Sequence, residues 1–159
     1  MEYILIILGI VLVGIDQISK NWASVTLKQV QEIEIWPQVF HLAYVENRGA
    51  AFGMMQNMQW FFIIVTIVVI GAILVYWRKI PDTKTQKIYK VSLTLIMSGA
   101  IGNLIDRVFL GYVVDMFYFI LIDFPVFNVA DICVVTGTII FMIVMILEDL
   151  PKKDKAIEG

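Results

Sequence analysis

Apolar runs dominate the sequence, and the sparse polar positions between them set its organisation. Covering a bilayer core of roughly 30 Å takes about 20 mostly apolar residues in a helix. Trp60 to Trp77 meets this without a single charge and carries a tryptophan at each end, where interfacial aromatics belong. Val129 to Leu147 is nearly as clean, with Asp131 near its start. A third stretch runs from about Ile88 to Phe109, with Asp106 and Arg107 close to its end, and a first from about Tyr3 to Ala23, interrupted by Asp16 and Lys20. That first stretch begins Met1-Glu2, without a basic n-region, and no A-x-A site follows it, so it reads as a retained span. The link at about 26–59 is too long for a bare turn. Gln31-Glu32-Ile33-Glu34-Ile35 alternates as a half-buried strand does, Pro37 interrupts, and Val39 to Val45 predicts a second strand. The expected fold is an all-α membrane protein: one integral domain over residues 1–159, with four transmembrane helices, a small β-rich extracytoplasmic element between the first two, and a tail at 148–159. No internal repeat or second domain is visible.

Composition agrees. The chain is 60% hydrophobic and 16% charged, against roughly 45–50% and about 25% in soluble domains. Lysine and arginine set the orientation. The link between the second and third spans carries Arg78, Lys79, Lys84, Lys87 and Lys90, and the tail carries Lys152, Lys153 and Lys155. The first link has only Lys20, Lys28 and Arg48, and the third only Arg107. Both termini and the second link are therefore expected to be cytoplasmic. A net charge of -2 gives no case for nucleic acid. A single cysteine, Cys133, and a single histidine, His41, leave no internal disulfide and no ordinary zinc site.

Ionisable and amide side chains within or beside spans are expensive, so each is a functional candidate. Asp16, Asn103, Asp106, Arg107, Asp115, Asn128 and Asp131 all fall toward the predicted outer ends of spans one, three and four. Asp115 and Asp131 bracket one short outward link, so their carboxylates can approach each other. Two carboxylates in a poorly hydrated place tend to share a proton, which suits hydrolysis: one takes a proton from water while the other donates. Plainer roles compete. Asn128 with Asp131 three residues on also reads as a helix cap. Asp106 beside Arg107 reads as a structural ion pair, and Asp16 with Lys20 as an i,i+4 pair. Asn103, Asp106 and Arg107 share a helix face, and Gly99 and Gly102 make that region narrow enough for close helix packing. By spacing alone, either Asp106 or Asp115 could be the first acid; the deeper position of Asp106 favours a structural role. There is no H-E-x-x-H and no G-x-S-G; Ser19 and Lys20 point apart on a helix; Cys133 reads as an inert buried thiol and His41 as a surface-strand residue.

The motifs Asp16-Gln17-Ile18-Ser19-Lys20, Asn47-Arg48-Gly49-Ala50-Ala51-Phe52, Gly102-Asn103-Leu104-Ile105-Asp106-Arg107, Val113-Val114-Asp115-Met116 and Phe127-Asn128-Val129-Ala130-Asp131 together resemble those of the lipoprotein signal peptidases (signal peptidase II), bacterial membrane aspartyl proteases. Five motifs in order, at sensible spacing, are a specific signal; Met116 stands where phenylalanine is expected. The resemblance covers essentially the whole chain. It implies a catalytic dyad of Asp115 and Asp131, supported by Asn47, Asn103, Arg107 and Asn128, with Asp16 and Lys20 shaping the site and Gly49, Asp106 and Ala130 contributed by the same motifs. It further implies prolipoprotein substrates carrying diacylglyceryl on a cysteine, cleaved just before that cysteine by direct water attack. No metal or cofactor is implied, and the chain is expected to act as a monomer in contact with lipid, in the bacterial cytoplasmic membrane with its site near the outer leaflet. Small residues around Gly49 allow close backbone approach to a ligand. Met116 to Ile122, apolar and aromatic, is expected to lie in the interface as a flap. The rival readings are a proton-coupled transporter using Asp16, Asp106 or Asp131, against which stand the one-sided acids and the absence of a repeat, and a non-catalytic assembly subunit.

Overall fold

A computed structural model describes residues 2–49, 55, 56, 58–81 and 83–149. In chain order the elements are α1 (Glu2–Val30), β1 (Glu32–Trp36), β2 (Phe40–Asn47), α2 (Gln59–Trp77), α3 (Lys84–Phe109), β3 (Val113–Tyr118), a single 3-10 turn (Ile120–Ile122) and α4 (Val129–Asp149). All four helices are long and apolar enough to cross a membrane. The three strands form one antiparallel sheet, ordered β1-β2-β3.

The helix ends differ from the sequence expectation in two places. α1 runs through Val30 rather than stopping near Ala23. Ala23 and Leu27, both fully buried, continue the face begun by Asp16 and Lys20 at helical spacing. They pack with Val114 and Met116 beneath the sheet. The helix ends at Gln31, whose left-handed φ of 67° turns the chain into β1. α3 starts at Lys84 because Thr83 caps it, its hydroxyl oxygen accepting from the Gln86 N–H at 3.4 Å.

β3 was not expected as a strand. The segment Val113 to Tyr118 shows no clean alternation because its first four residues are all buried, and a strand covered on both faces loses the period-2 signal. The expected flap is corrected accordingly: Met116 is 1% exposed, and residues 116–118 belong to the sheet. Within that segment Phe119, Leu121 and Ile122 stand at the surface. Of the remaining expectations, Ala50, Ala51 and Phe52, and the basic tail residues Lys152, Lys153 and Lys155, lie outside the described residues.

α3 is the central helix, with α1, α2 and α4 packed on it. Its approach to α4 is set by glycines. A Cβ at Gly99 would lie 2.2 Å from the Ala130 carbonyl oxygen, and one at Gly137 would lie 2.6 Å from that of Ser92. At the end away from the sheet, Ile73, Ile80, Tyr89, Leu93 and Val144 close the bundle as an apolar cluster.

Candidate active site

Asp115 sits on β3 and Asp131 in the first turn of α4. The chain between them is folded back: Phe127 exchanges hydrogen bonds with Phe117, N to O at 3.1 and 2.8 Å, which brings Asn128 beside Asp115. Asn128 then touches both acids. Its Nδ2 donates to Asp115 Oδ1 at 2.6 Å, its backbone N–H donates to Asp131 Oδ2 at 3.1 Å, and its Oδ1 accepts from the Asp131 N–H at 2.9 Å. The last two bonds form a reciprocal cap on α4. Asp131 is thus both a capping residue and a cavity-facing acid; the two readings of it are compatible, because a carboxylate has more acceptor sites than the cap consumes.

Carboxamides hold the other oxygens. Asn47 Nδ2 donates to Asp115 Oδ2 at 3.0 Å, while the Gly49 N–H donates to Asn47 Oδ1 at 3.0 Å and so fixes which way the amide faces. Asn103 Nδ2 donates to Asp131 Oδ1 at 2.8 Å. Burial, and then the nearby charge of Asp131, push the Asp115 carboxyl up to about 7, against hydrogen bonds from Asn47 and Asn128 that pull it down. Both acids line a cavity of about 630 Å³ together with Asn47, Gly49, Asn103 and Arg107. The rest of its wall is largely apolar, including Val113, Phe124, Phe127, Ile132 and Val135.

Behind Asn103 lies a second, fully buried charged cluster. Lys20 Nζ is 2.9 Å from Asp16 Oδ2, 3.3 Å from Asp106 Oδ2 and 2.9 Å from Asn103 Oδ1. Asp16 Oδ1 accepts the Ala130 N–H at 2.9 Å, and Asp106 Oδ2 accepts the Val114 N–H at 3.0 Å. One cation therefore ties α1 to α3, and its two carboxylates tie them to α4 and β3. Ala130 serves as packing and backbone donor: it is 1% exposed and is the seat on which Gly99 rests.

The Asp106–Arg107 ion pair expected from sequence does not form. Consecutive residues on a helix point about 100° apart, so Asp106 turns to Lys20 while Arg107 lies over the Phe62 ring of α2, 5.1 Å from its centroid. The Asp16–Lys20 pair forms as expected. His41 is in a strand, but it is buried, with Nδ1 on Glu32, rather than at the surface. Cys133 is buried. Gln17 received no role from the sequence, yet its Nε2 reaches Asp16 Oδ2, the Gly102 carbonyl and Asp106 Oδ1 at 3.1 to 3.2 Å. The available signal was an amide inside an apolar span, which is as costly there as a charge is conspicuous.

Comparison with known proteins places this geometry. A family model described as Signal peptidase (SPase) II matches residues 8–147. A lipoprotein signal peptidase of Clostridium acetobutylicum is 46% identical over 157 residues, covering 97% of this chain and 98% of that one. Another, from Clostridioides difficile, is 51% identical over 146 residues, covering 90% and 93%. A solved structure described as a bacterial membrane enzyme superposes with a TM-score of 0.86 at 31% identity, covering 97% of this chain and 94% of that one. A second reaches 0.79 at 33% identity, covering 91% and 93%. Nothing among these matches supports the transporter reading.

Proposed function

This chain belongs to the signal peptidase II family, and from that premise we propose that Asp115 and Asp131 are its catalytic dyad. The protein is a multi-pass membrane aspartic endopeptidase acting on lipoprotein substrates. The observation that carries the residue assignment is Asn128, which bonds both carboxylates at the wall of one cavity.

In the proposed reaction Asp131 starts ionised and Asp115 starts protonated. Asp131 is the less buried of the two acids and lines the cavity, with N–H donors from Asn128 and Asn103 on its oxygens. Asp115 is 1% exposed, and no cation contacts it among the described residues. Asp131 takes a proton from water as the water attacks the scissile carbonyl. Asp115 protonates the carbonyl oxygen; on collapse of the tetrahedral species Asp131 passes its proton to the leaving amine and a hydroxyl proton returns to Asp115. Arg107 and Asn47, at the cavity wall, are placed to bind substrate backbone.

The substrate would be a prolipoprotein bearing diacylglyceryl on the cysteine after the scissile bond. The apolar wall formed by Phe124, Phe127, Ile132 and Val135 suits such a ligand entering from lipid. Site and basic link lie at opposite ends of α3, and the pairs Lys90–Glu2 and Tyr89–Glu148 bring both helix-bundle termini to the basic end. By the positive-inside rule this supports cytoplasmic termini and a site toward the outer leaflet. The test is incubation of the purified protein with a prolipoprotein in lipidated and unlipidated form. Cleavage is expected before the cysteine of the lipidated form alone, and to be lost in Asp115→Asn and in Asp131→Asn. Full activity in either variant would overturn the dyad; a dead but folded Asp106→Asn beside an active Asp115→Asn would move the assignment to Asp106.

A further inference from the structure

A second cavity, of about 510 Å³, lies at the opposite end of the bundle from the dyad. α1 and α2 each pack on α3 there but stand apart from one another, leaving a groove between them. Its walls are Leu5, Ile6 and Ile10 of α1 and Leu74 of α2, and at its floor Gly9 of α1 lies against Thr94 and Ser98 of α3. The hydroxyls of Thr94 and Ser98 are spent on the carbonyls of Lys90 and Thr94. The groove is therefore almost wholly apolar, with both hydroxyl protons already committed. It follows α1 from Glu2 to Val13, which at about 1.5 Å per residue matches one leaflet of a hydrocarbon core of roughly 30 Å.

The head of this groove is charged. Lys90 is buried, with Nζ 3.2 Å from Glu2 Oε1 and 5.8 Å from the centroid of the Trp77 ring, which also lines the groove. Glu2 offsets that charge. Lys87, one turn before Lys90, and Arg78 and Lys79, directly after Trp77, are exposed and make no ion pair among the described residues. An apolar slot one leaflet long, headed by a surplus of cations, is complementary to a lipid with a negative headgroup. We propose that this groove binds one acyl chain of an anionic glycerophospholipid, with its phosphate held among Lys90, Lys87, Arg78 and Lys79. The site is independent of the dyad and of the substrate's own lipid.

Trp77 supplies the probe. The full chain, with Trp22, Trp36 and Trp60 changed to Phe, is placed in vesicles containing phosphatidylglycerol or phosphatidylcholine with brominated acyl chains, which quench tryptophan on contact. Brominated phosphatidylglycerol is expected to quench Trp77 at a lower mole fraction than brominated phosphatidylcholine. Lys90→Gln should reduce that preference by about fivefold. Gly9→Leu adds a side chain at the floor of the groove, beside Ser98 and Thr94, and should lower quenching by both lipids. Equal quenching by the two lipids in the parent protein would mean ordinary surrounding lipid and would overturn the proposal. So would a preference unchanged by Lys90→Gln, or quenching unchanged by Gly9→Leu.

Discussion

The two carboxylate clusters at the sheet end of the bundle share a residue type and differ in what satisfies them. Asp16 and Asp106 enclose Lys20, and all three are at most 3% exposed. Their remaining oxygen capacity is taken by Gln17 and by the backbone N–H groups of Ala130 and Val114. Asp115 and Asp131 receive only amide donors, from Asn47, Asn103 and Asn128, and face a cavity. The first pair is committed to its own cation and to backbone donors; the second is held by neutral donors, acid beside acid, open to a ligand. Asn103 joins the clusters. Lys20 donates to its Oδ1, which forces its Nδ2 toward Asp131. The inert cluster thereby aims the reactive one.

The sharpest way to break this contrast is to neutralise each acid in turn. Asp115→Asn and Asp131→Asn should each lower the cleavage rate by about 10²–10⁴-fold, the range of general acid–base catalysis, at a smaller cost in unfolding midpoint than the same change at Asp16 or Asp106. Asp16 and Asp106 should behave oppositely, losing stability first. Lys20→Met goes furthest in that direction: it leaves two buried carboxylates without their cation and should cost about 3–5 kcal/mol of stability, read as a fall in unfolding midpoint. Gly102→Ala is a smaller insult to the same cluster. Its Cβ would lie 2.5 Å from Asp16 Oδ2 and 3.2 Å from Ala130 Cβ, an overpacking worth about 1–3 kcal/mol.

The mildest handle is pH. With its carboxyl raised to about 7, Asp115 carries the required proton below that pH and loses it above. Turnover should therefore fall as pH rises through about 7. The same upward shift means that the folded protein binds this proton more tightly than the unfolded chain does, where aspartate titrates near 3.9. Its contribution to stability is full below about 4 and is lost as pH rises through about 7. Asp115→Asn should flatten that dependence in unfolding midpoints measured across the range; a slope unchanged in the variant would assign the titration to another group.

Much of the fold was legible because lipid imposes a crude code. Charge-free runs such as Trp60 to Trp77 can be little else, and the β1–β2 hairpin showed in the alternation around Glu32 and Glu34. β3 was not legible, because burial of Val113 to Met116 erased the alternation that marks a half-exposed strand. For the site, scarcity made the polar residues visible as a set, and the short link between Asp115 and Asp131 suggested their approach. Their individual partners were hidden. The neighbours Asp106 and Arg107 looked paired, yet they point to different helices; Gln17 looked incidental, yet it spans two carboxylates.

The sequence by itself determined which segments enter lipid and which few polar residues must be accounted for there, since both follow from local transfer costs that each residue carries wherever it sits. The tertiary structure alone decided which of those residues became scaffold and which became chemistry. That division depends on side chains meeting across α1, α3, β3 and α4 at contact distance. Those distances are set by close approaches at Gly99, Gly102 and Gly137, which local spacing along the chain does not encode.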